Sequence, residues 1–171
     1  MSRRHRIQGS EMSIIDKTGL IEYLRGQFKI DWHGLHGISH WTRVRVNGLM
    51  LAKETGASQH VIELFAFFHD ARRIDEHADH GHGERGAELA EQLRGRYFEA
   101  TPAEMSLLRY ACTYHSDGLT TGDITVLTCW DADRLDLGRG GIIANYLCTD
   151  AAKNDANRRK AHQRAVAWME R

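Results

Sequence analysis

Eleven of the 171 residues are histidines, and several of them fall where a predicted helix turns its apolar face to the core. Helical spacing puts imidazoles or carboxylates on such faces in four segments. They are His40, His69 with the adjacent Asp70, His115 and Asp133. An unpaired carboxylate in an apolar setting is costly, and ligands held inside a helical bundle project from these faces. We therefore expect these groups to share a partner.

A divalent cation is the partner that these donors fit best. It offsets the carboxylate charge, and neutral imidazoles supply its nitrogen ligands. The mixture of nitrogen and oxygen donors favours Mn, Fe, Co, Ni or Mg over a closed structural zinc site. His82 and His115 add further nitrogens, so six candidate ligands could hold one or two metal ions.

The elements that must position these residues are predicted to be helices throughout. Only one proline occurs, and the segments between glycine clusters show helical rather than alternating periodicity. The sequence thus predicts an all-α fold, a single-domain helical bundle of six or seven helices over residues 1–171. The predicted helices span residues 17–28, 39–54, 58–68, 84–97, 102–115, 123–137 and 149–170.

Short polar residues at the predicted helix starts support these boundaries. Their side-chain oxygens can accept hydrogen bonds from the free N–H groups of the first turn. The His-rich segment 71–83 is polar and charged, and we expect a loop there. The predicted N-caps are Ser39, Ser58, Thr101 and Asp123.

The charge balance limits the partners of the chain. It has 23 Lys and Arg against 23 Asp and Glu, whereas a binder of nucleic-acid duplexes needs a basic surplus. No run of about 18 apolar residues predicts a membrane span. The C-terminal stripe of Ala161, Ala165 and Trp168 is expected to pack either on the core or on a second copy, which would make an oligomer. A small molecule is the expected substrate.

Two features predict a cytoplasmic protein. The segment Met1–Met12 is basic and polar and lacks the apolar stretch of a secretory signal. Cys112, Cys129 and Cys148 are odd in number and contain no CxxC pair. They therefore predict reduced thiols in the core rather than a disulfide framework or a thiolate zinc site.

Three motifs together resemble a known family. They are the segment 40–44 (His-Trp-Thr-Arg-Val), the doublet His69-Asp70 at the end of an apolar helix, and the segment 132–135 (Ala-Asp-Arg-Leu). Their order resembles the H…HD…D pattern of the HD-domain superfamily of metal-dependent phosphohydrolases, over a motif core of about residues 34–137. The resemblance implies a helical bundle around one metal, with the ligands His40, His69, Asp70 and Asp133.

Two further segments are similar to the extra histidines of HD proteins that hold two metals. They are His82 in the segment 82–87 and His115 in the segment 115–118. Such members include phosphodiesterases and a smaller group of diiron oxygenases. The sequence lacks the paired histidines and the GYP motif of the cyclic-di-GMP phosphodiesterases, so we do not expect that activity.

These observations predict a hydrolase of a nucleotide or another small phosphate ester or anhydride. The resemblance implies a metal that activates water and polarises the phosphoryl group. Asp70 would bridge metals or accept a proton. The alternatives are a diiron oxygenase that uses the same ligands, and a non-catalytic module that binds a ligand at the metal site.

Several neighbouring residues have open roles. Asp131 is the alternative to Asp133 as the last ligand, and His36 is expected to lie behind a ligand or to face the substrate. Arg73 follows the metal doublet and could bind a substrate phosphate or form a salt bridge. Glu84 could be a general base or a helix-start carboxylate favoured by the helix dipole.

Overall fold

The computed structural model describes residues 14–170. This part of the chain forms helices and no β-strand, which confirms the all-α prediction. Eight α-helices and one 3₁₀-helix are present in the described residues. In chain order they are α1 (Lys17–Gln27), α2 (Ile38–Thr55), α3 (Gln59–Phe68), α4 (His82–Leu93), α5 (Pro102–Tyr114), α6 (Ile124–Arg134), the 3₁₀-helix Leu137–Gly140, α7 (Asp150–Lys153) and α8 (Asp155–Met169).

Helix α3 is the centre of the bundle. From Val61 to Phe68 every side chain except Glu63 is apolar and buried. A helix that is apolar on all sides must be surrounded by others, and α3 packs against α2, α4, α5 and α6. The chain leaves α3 directly into His69 and Asp70, so the doublet lies in the interior.

Three of the four predicted N-caps are confirmed. The Ser58 hydroxyl accepts from the backbone N–H of Val61, and the Asp123 carboxylate from that of Thr125. Thr101 forms a full capping box, because Glu104 also accepts from the backbone N–H of Thr101. These caps define the starts of α3, α5 and α6 where the sequence predicts them.

The predicted cap Ser39 is wrong, because α2 begins one residue before it and Gly37 is the N-cap. The cause is a tight turn that the local polar pattern does not show. The backbone N–H of Ile38 donates to the carbonyl of Trp32 at 2.9 Å. A Cβ on Gly37 would lie 2.0 Å from that carbonyl oxygen, so only glycine fits.

Three other predicted helices have boundaries that differ from the structure. Helix α4 begins at His82 rather than Glu84, and it ends at Leu93 rather than Tyr97, shortly before Gly95 with φ of 77°. Helix α6 ends at Arg134, and the chain continues into the 3₁₀-helix. The last predicted helix, 149–170, is divided at Asn154, whose side chain caps α8.

The C-terminal helices pack on the chain itself. Ala161 and Ala165 of the predicted stripe are fully buried, and α8 contacts α2, α7 and the 3₁₀-helix. The guanidinium of Arg43 lies 5.0 Å above the ring of Trp168. The core position of this stripe is therefore confirmed for its two alanines.

The three cysteines carry no disulfide, as the sequence predicts. Cys112 and Cys129 are buried and Cys148 is half-buried. Burial raises the pKa of the Cys112 and Cys129 thiols, so they stay protonated.

Among residues 14–170, none of the helices has the length and apolar character needed to cross a bilayer. The segment Met1–Met12 lies outside the described residues.

Two glycines let α4 approach its neighbours closely. A Cβ on Gly83 would lie 2.1 Å from the carbonyl oxygen of Cys112 in α5. A Cβ on Gly86 would lie 2.1 Å from the carbonyl oxygen of Phe68 in α3. Because both neighbours are backbone atoms, they cannot rotate away. The two glycines thus bring the start of α4, and with it His82, against the ends of α3 and α5.

We expect Gly86→Ala to lower the free energy of unfolding by about 1–3 kcal/mol, the usual cost of overpacking. Chemical denaturation measures this change. Gly26→Ala is the matched control in an exposed helix position where nothing lies within 4 Å of the added Cβ. It is expected to raise stability by about 0.5–1 kcal/mol. A stabilised Gly86→Ala variant would contradict the close approach of α4 to α3.

Candidate metal centre

Six side chains that can bind metal converge inside the bundle. They form two groups, and within each group one possible ligand atom per residue lies within 4.8 Å of the others. All six belong to the set of ligands that the sequence predicts. One group is His40, His69 and Asp133, and the other is Asp70, His82 and His115.

The ends of five helices supply these residues. His40 lies in the first turn of α2, and Asp133 lies in the last turn of α6. His82 is the first residue of α4. Because these ends meet around the end of α3, residues far apart in sequence lie side by side. The three remaining residues follow the ends of their helices, His69 and Asp70 after α3 and His115 after α5.

Each of the four imidazoles is oriented by a hydrogen bond at Nδ1. Three of the acceptors are backbone carbonyls, which can only accept, so Nδ1 carries the proton and Nε2 has a free lone pair. The acceptors are Asp136 Oδ2 for His40 (2.7 Å), the Phe65 carbonyl for His69 (3.0 Å), the Cys112 carbonyl for His115 (2.7 Å) and the Asp79 carbonyl for His82 (2.5 Å).

The Nε2 atoms face one another in pairs. They are 3.1 Å apart between His40 and His69, and 3.0 Å apart between His82 and His115. Two lone pairs at this distance repel unless a proton or a cation lies between them. Four imidazoles with converging Nε2 atoms are therefore a donor set that suits metal ions.

The carboxylate of Asp70 connects the two groups. Its Oδ2 lies 3.4 Å from His40 Nε2 and 3.5 Å from His69 Nε2. Its Oδ1 lies 3.2 Å from His82 Nε2 and 3.6 Å from His115 Nε2. One carboxylate thus offers an oxygen to each group, which is the arrangement of a bridging ligand between two neighbouring ions.

Asp70 also provides a direct test of whether a cation fits. Its Oδ1 is buried and accepts no hydrogen bond from the described residues. The nearby Nε2 of His82 cannot donate, since that ring donates through Nδ1. An anionic oxygen without a donor is costly in the interior. The six residues could therefore hold a metal, and a cation there would satisfy this oxygen.

Asp133, rather than Asp131, belongs to the cluster. The Oδ1 of Asp133 lies 3.2 Å from His40 Nε2, and its side chain is 17% exposed. Asp131 is fully buried, but its oxygens accept from the backbone N–H of Cys148 and from the N–H and hydroxyl of Thr149 at 2.7–2.8 Å. Asp131 thus holds the start of α7.

Burial and neighbouring charges shift the pKa values of His40 and His69, which belong to one group, in opposite directions. Burial lowers the pKa of His69 to about 3, against the opposing effects of Asp70 and Asp133. Burial and Arg139 would also lower the pKa of His40, but hydrogen bonds with carboxylates, Asp133 first, raise it to about 9. Without a metal, His40 therefore carries a proton on Nε2, between its own ring and Nε2 of His69.

Both carboxylates of the cluster stay ionised. Burial alone would raise the pKa of Asp70, but the surrounding imidazoles, His69 first, hold it well below its usual range. The pKa of Asp133 is lowered in the same way, chiefly by its hydrogen bond with His40. The cluster thus presents two negative charges and four nitrogen donors to a cation.

Asp136, for which the sequence predicts no role, orients a ligand. Its side chain is fully buried and accepts from His40 Nδ1. Arg43 Nε donates to Asp136 Oδ1 at 2.7 Å, and Arg139 Nη1 lies 3.6 Å from Oδ2. Asp136 follows Asp133 by three residues, a spacing that keeps two side chains on one helix face. That spacing is the feature of the sequence that points to Asp136.

Arg73 lies beside the cluster, whereas Glu84 does not. The Nη1 of Arg73 is 3.6 Å from Asp70 Oδ1, and its other donors bond the carbonyls of Asp75 and His77. Glu84 is exposed on α4 and belongs to neither group. With residues of α5 it lines a pocket on the surface between α4 and α5. The structure therefore gives no support to Glu84 as a general base.

His36 borders the cluster from its partly exposed side. Its ring centroid is 6.2 Å from that of His40, and its Nδ1 lies 2.5 Å from Glu76 Oε2. Burial lowers the pKa of His36, and this effect outweighs Asp70 and Glu76, which raise it. His36 is therefore a neutral imidazole, oriented by a carboxylate, next to the candidate ligands.

The fold agrees with that of a solved structure. The chain matches the crystal structure of a predicted HD superfamily hydrolase from an uncultured Thermotogales bacterium, with a TM-score of 0.63 and 24% sequence identity. The match covers 92% of this chain and 89% of that chain. It shows that the chain has the HD-domain fold. No family model matches the chain, and no match was found among curated proteins.

We expect Asp133→Asn to weaken Mn²⁺ binding by at least about ten-fold, because it removes an anionic ligand. Isothermal titration calorimetry measures the affinity. Asp131→Asn is the matched control, since it changes a buried carboxylate two residues away. It is expected to keep the Mn²⁺ affinity and to lower the melting temperature. The reverse pattern would make Asp131 the ligand.

We expect Asp136→Asn to weaken Mn²⁺ binding by about ten-fold while the number of bound ions stays the same. The amide keeps the shape of the side chain, but it lacks the charge that holds His40 Nδ1–H and Arg43. The same titration measures both quantities. Unchanged affinity in a folded variant would show that Asp136 does not support the ligand.

Proposed function

We propose that the protein is a metal-dependent phosphohydrolase that acts on a nucleotide or another small phosphate ester or anhydride. The observation that carries this proposal is the carboxylate of Asp70, which has one oxygen toward each of two groups of ligands. When bound, divalent ions would supply Lewis-acid activation of a water molecule and of the phosphoryl group. The likeness to a protein described as a predicted hydrolase supports the same reaction class.

The substrate would reach the centre from the side of Asp133. Its side chain is 17% exposed, whereas those of His40 and Asp70 are at most 3% exposed. The pair of His36 and Glu76 is half-buried as well, with side chains 16% and 30% exposed. A small phosphorylated molecule on this side would meet both Asp133 and His36.

His36 is suited to proton transfer. Its Nδ1 faces Glu76 at 2.5 Å, so Nε2 is free to accept a proton from water. Hydrolysis forms a bond from the water oxygen to phosphorus and breaks the bond from phosphorus to the leaving oxygen. The proton that His36 takes from water can then pass to that leaving oxygen, which balances the reaction.

Arg73 acts as a positioning residue in this proposal. Its guanidinium is 7% exposed and is held by two carbonyls of the loop that follows α3. The Nη1 lies near Asp70 Oδ1 and 3.4 Å from His82 Nε2. Arg73 thus ties the loop that contains Glu76 to the metal centre, and its positive charge offsets part of the charge on Asp70.

The test is hydrolysis of a panel of nucleotides, sugar phosphates and phosphate anhydrides by the metal-loaded protein, with phosphate release as the readout. We expect Asp70→Asn to lower kcat by at least about a hundred-fold, which corresponds to a loss of a few kcal/mol of transition-state stabilisation. His36→Gln is expected to lower kcat while Mn²⁺ affinity is unchanged, since His36 binds no metal in this proposal.

Glu91→Gln is the control, because Glu91 is an exposed carboxylate on α4 whose one ion pair within residues 14–170 is with Arg109. It is expected to keep full activity.

Metal analysis of the purified protein tests the oxygenase hypothesis in parallel. Two irons per chain, with oxygen uptake and no phosphate release from any substrate, would overturn the hydrolase proposal. Activity that persists in Asp70→Asn would overturn the role of the centre.

A further inference from the structure

A cavity of about 410 Å³ lies beside the C-terminal helix α8. It is bounded by the end of α6, the 3₁₀-helix, the loop that follows it and the first half of α8. Its volume falls in the range of about 300–1,000 Å³ that small-molecule sites occupy. None of its lining residues belongs to either group of candidate metal ligands.

One wall of the cavity is basic. It contains Arg158, Arg159 and His162, which lie on one side of α8. In the described part of the chain, neither arginine forms a side-chain hydrogen bond or an ion pair. The single carboxylate in the lining is that of Asp155. Two guanidinium groups without partners favour an anion that can accept paired hydrogen bonds, such as a phosphate.

A second wall is apolar. Leu135, Ile142, Ile143 and Ala144 line it. Ile142 is 56% exposed and Ile143 is 76% exposed. Two adjacent branched side chains left in solvent beside a cavity provide a surface for an apolar or aromatic group. The ligand that fits both walls therefore has a phosphate at one end and an apolar body at the other.

The basic wall is held in place by the packing of α8. A Cβ on Gly138 would lie 3.1 Å from His162 Nδ1 and 3.5 Å from the Cβ of Ala165. Helix α8 is also anchored to α2, because Arg164 Nη2 donates to Asn47 Oδ1 at 2.7 Å. The basic wall is thus fixed relative to the 3₁₀-helix before any ligand binds, which lowers the entropic cost of binding.

We propose that this cavity is a second binding site, which takes a nucleoside monophosphate or an organic phosphate of similar size and apolar character. The phosphate contacts Arg158 and Arg159, and the base or other apolar part lies on Ile142 and Ile143. The site uses none of the residues of the metal centre, so it does not rest on the proposed hydrolase activity.

Calorimetric titration with adenosine 5′-monophosphate, in the presence of a chelator, tests the site. We expect saturable binding of one molecule per chain, and affinities at least about ten-fold weaker for adenosine and for inorganic phosphate. The double variant R158Q/R159Q is expected to weaken adenosine monophosphate binding by about ten-fold or more. Ile143→Ser is expected to weaken it while phosphate binding is unchanged.

The matched control is K153Q/K160Q, which removes two exposed cations of the C-terminal helices that do not line the cavity. It is expected to bind like the unchanged protein. Asp70→Asn in the same assay separates the two proposals. Binding that survives Asp70→Asn and falls in R158Q/R159Q supports the cavity. The opposite result, or no saturable binding at all, overturns it without affecting the hydrolase proposal.

Discussion

A buried anionic oxygen, to which no group in residues 14–170 donates a hydrogen bond, is the constraint around which this bundle is built. Asp70 Oδ1 lies among imidazoles whose donors all point outward, to three carbonyls and one carboxylate. Such a carboxylate is tolerable only beside a positive charge, and Arg73 Nη1, 3.6 Å away, offsets part of its charge without donating a hydrogen bond to it. The converging helix ends are therefore suited to hold cations. The apolar helix α3 places Asp70 in the middle of these ends.

The frame extends outward from the ligands to the C-terminal helix. His40 is held by Asp136, and Asp136 is held by Arg43, whose guanidinium lies over the ring of Trp168. The last helix is thus part of the support of the centre, although none of its residues is a candidate ligand. A buried pair such as Arg43 and Asp136 contributes orientation more than stability, since its desolvation cost offsets much of its attraction.

Much of the centre could be predicted, because its residues break a helical pattern. His40, His69 and Asp133 occupy apolar stripes, and the structure brings them together. Side-chain direction at helix ends could not be predicted in the same way. Of the two alternatives for Glu84, the structure bears out the helix-start carboxylate, since Glu84 lies exposed in the first turn of α4. The sequence predicts the start of α4 two residues late, because the turn at Gly81, with φ of 83°, carries no distinctive polar signal. The sequence likewise carries no polar signal for the close approach of Gly37 to the carbonyl of Trp32.

The short segment at the end of α6 contacts several different elements of the structure. Successive residues there project in different directions, and each holds a different element. Asp131 fixes the start of α7, Asp133 faces the imidazoles, and Arg134 bonds the carbonyls of Leu119 and Tyr146. Asp136, just beyond the helix, orients His40. A one-residue shift of this segment would exchange a ligand for a structural contact, so its register is constrained from several sides at once.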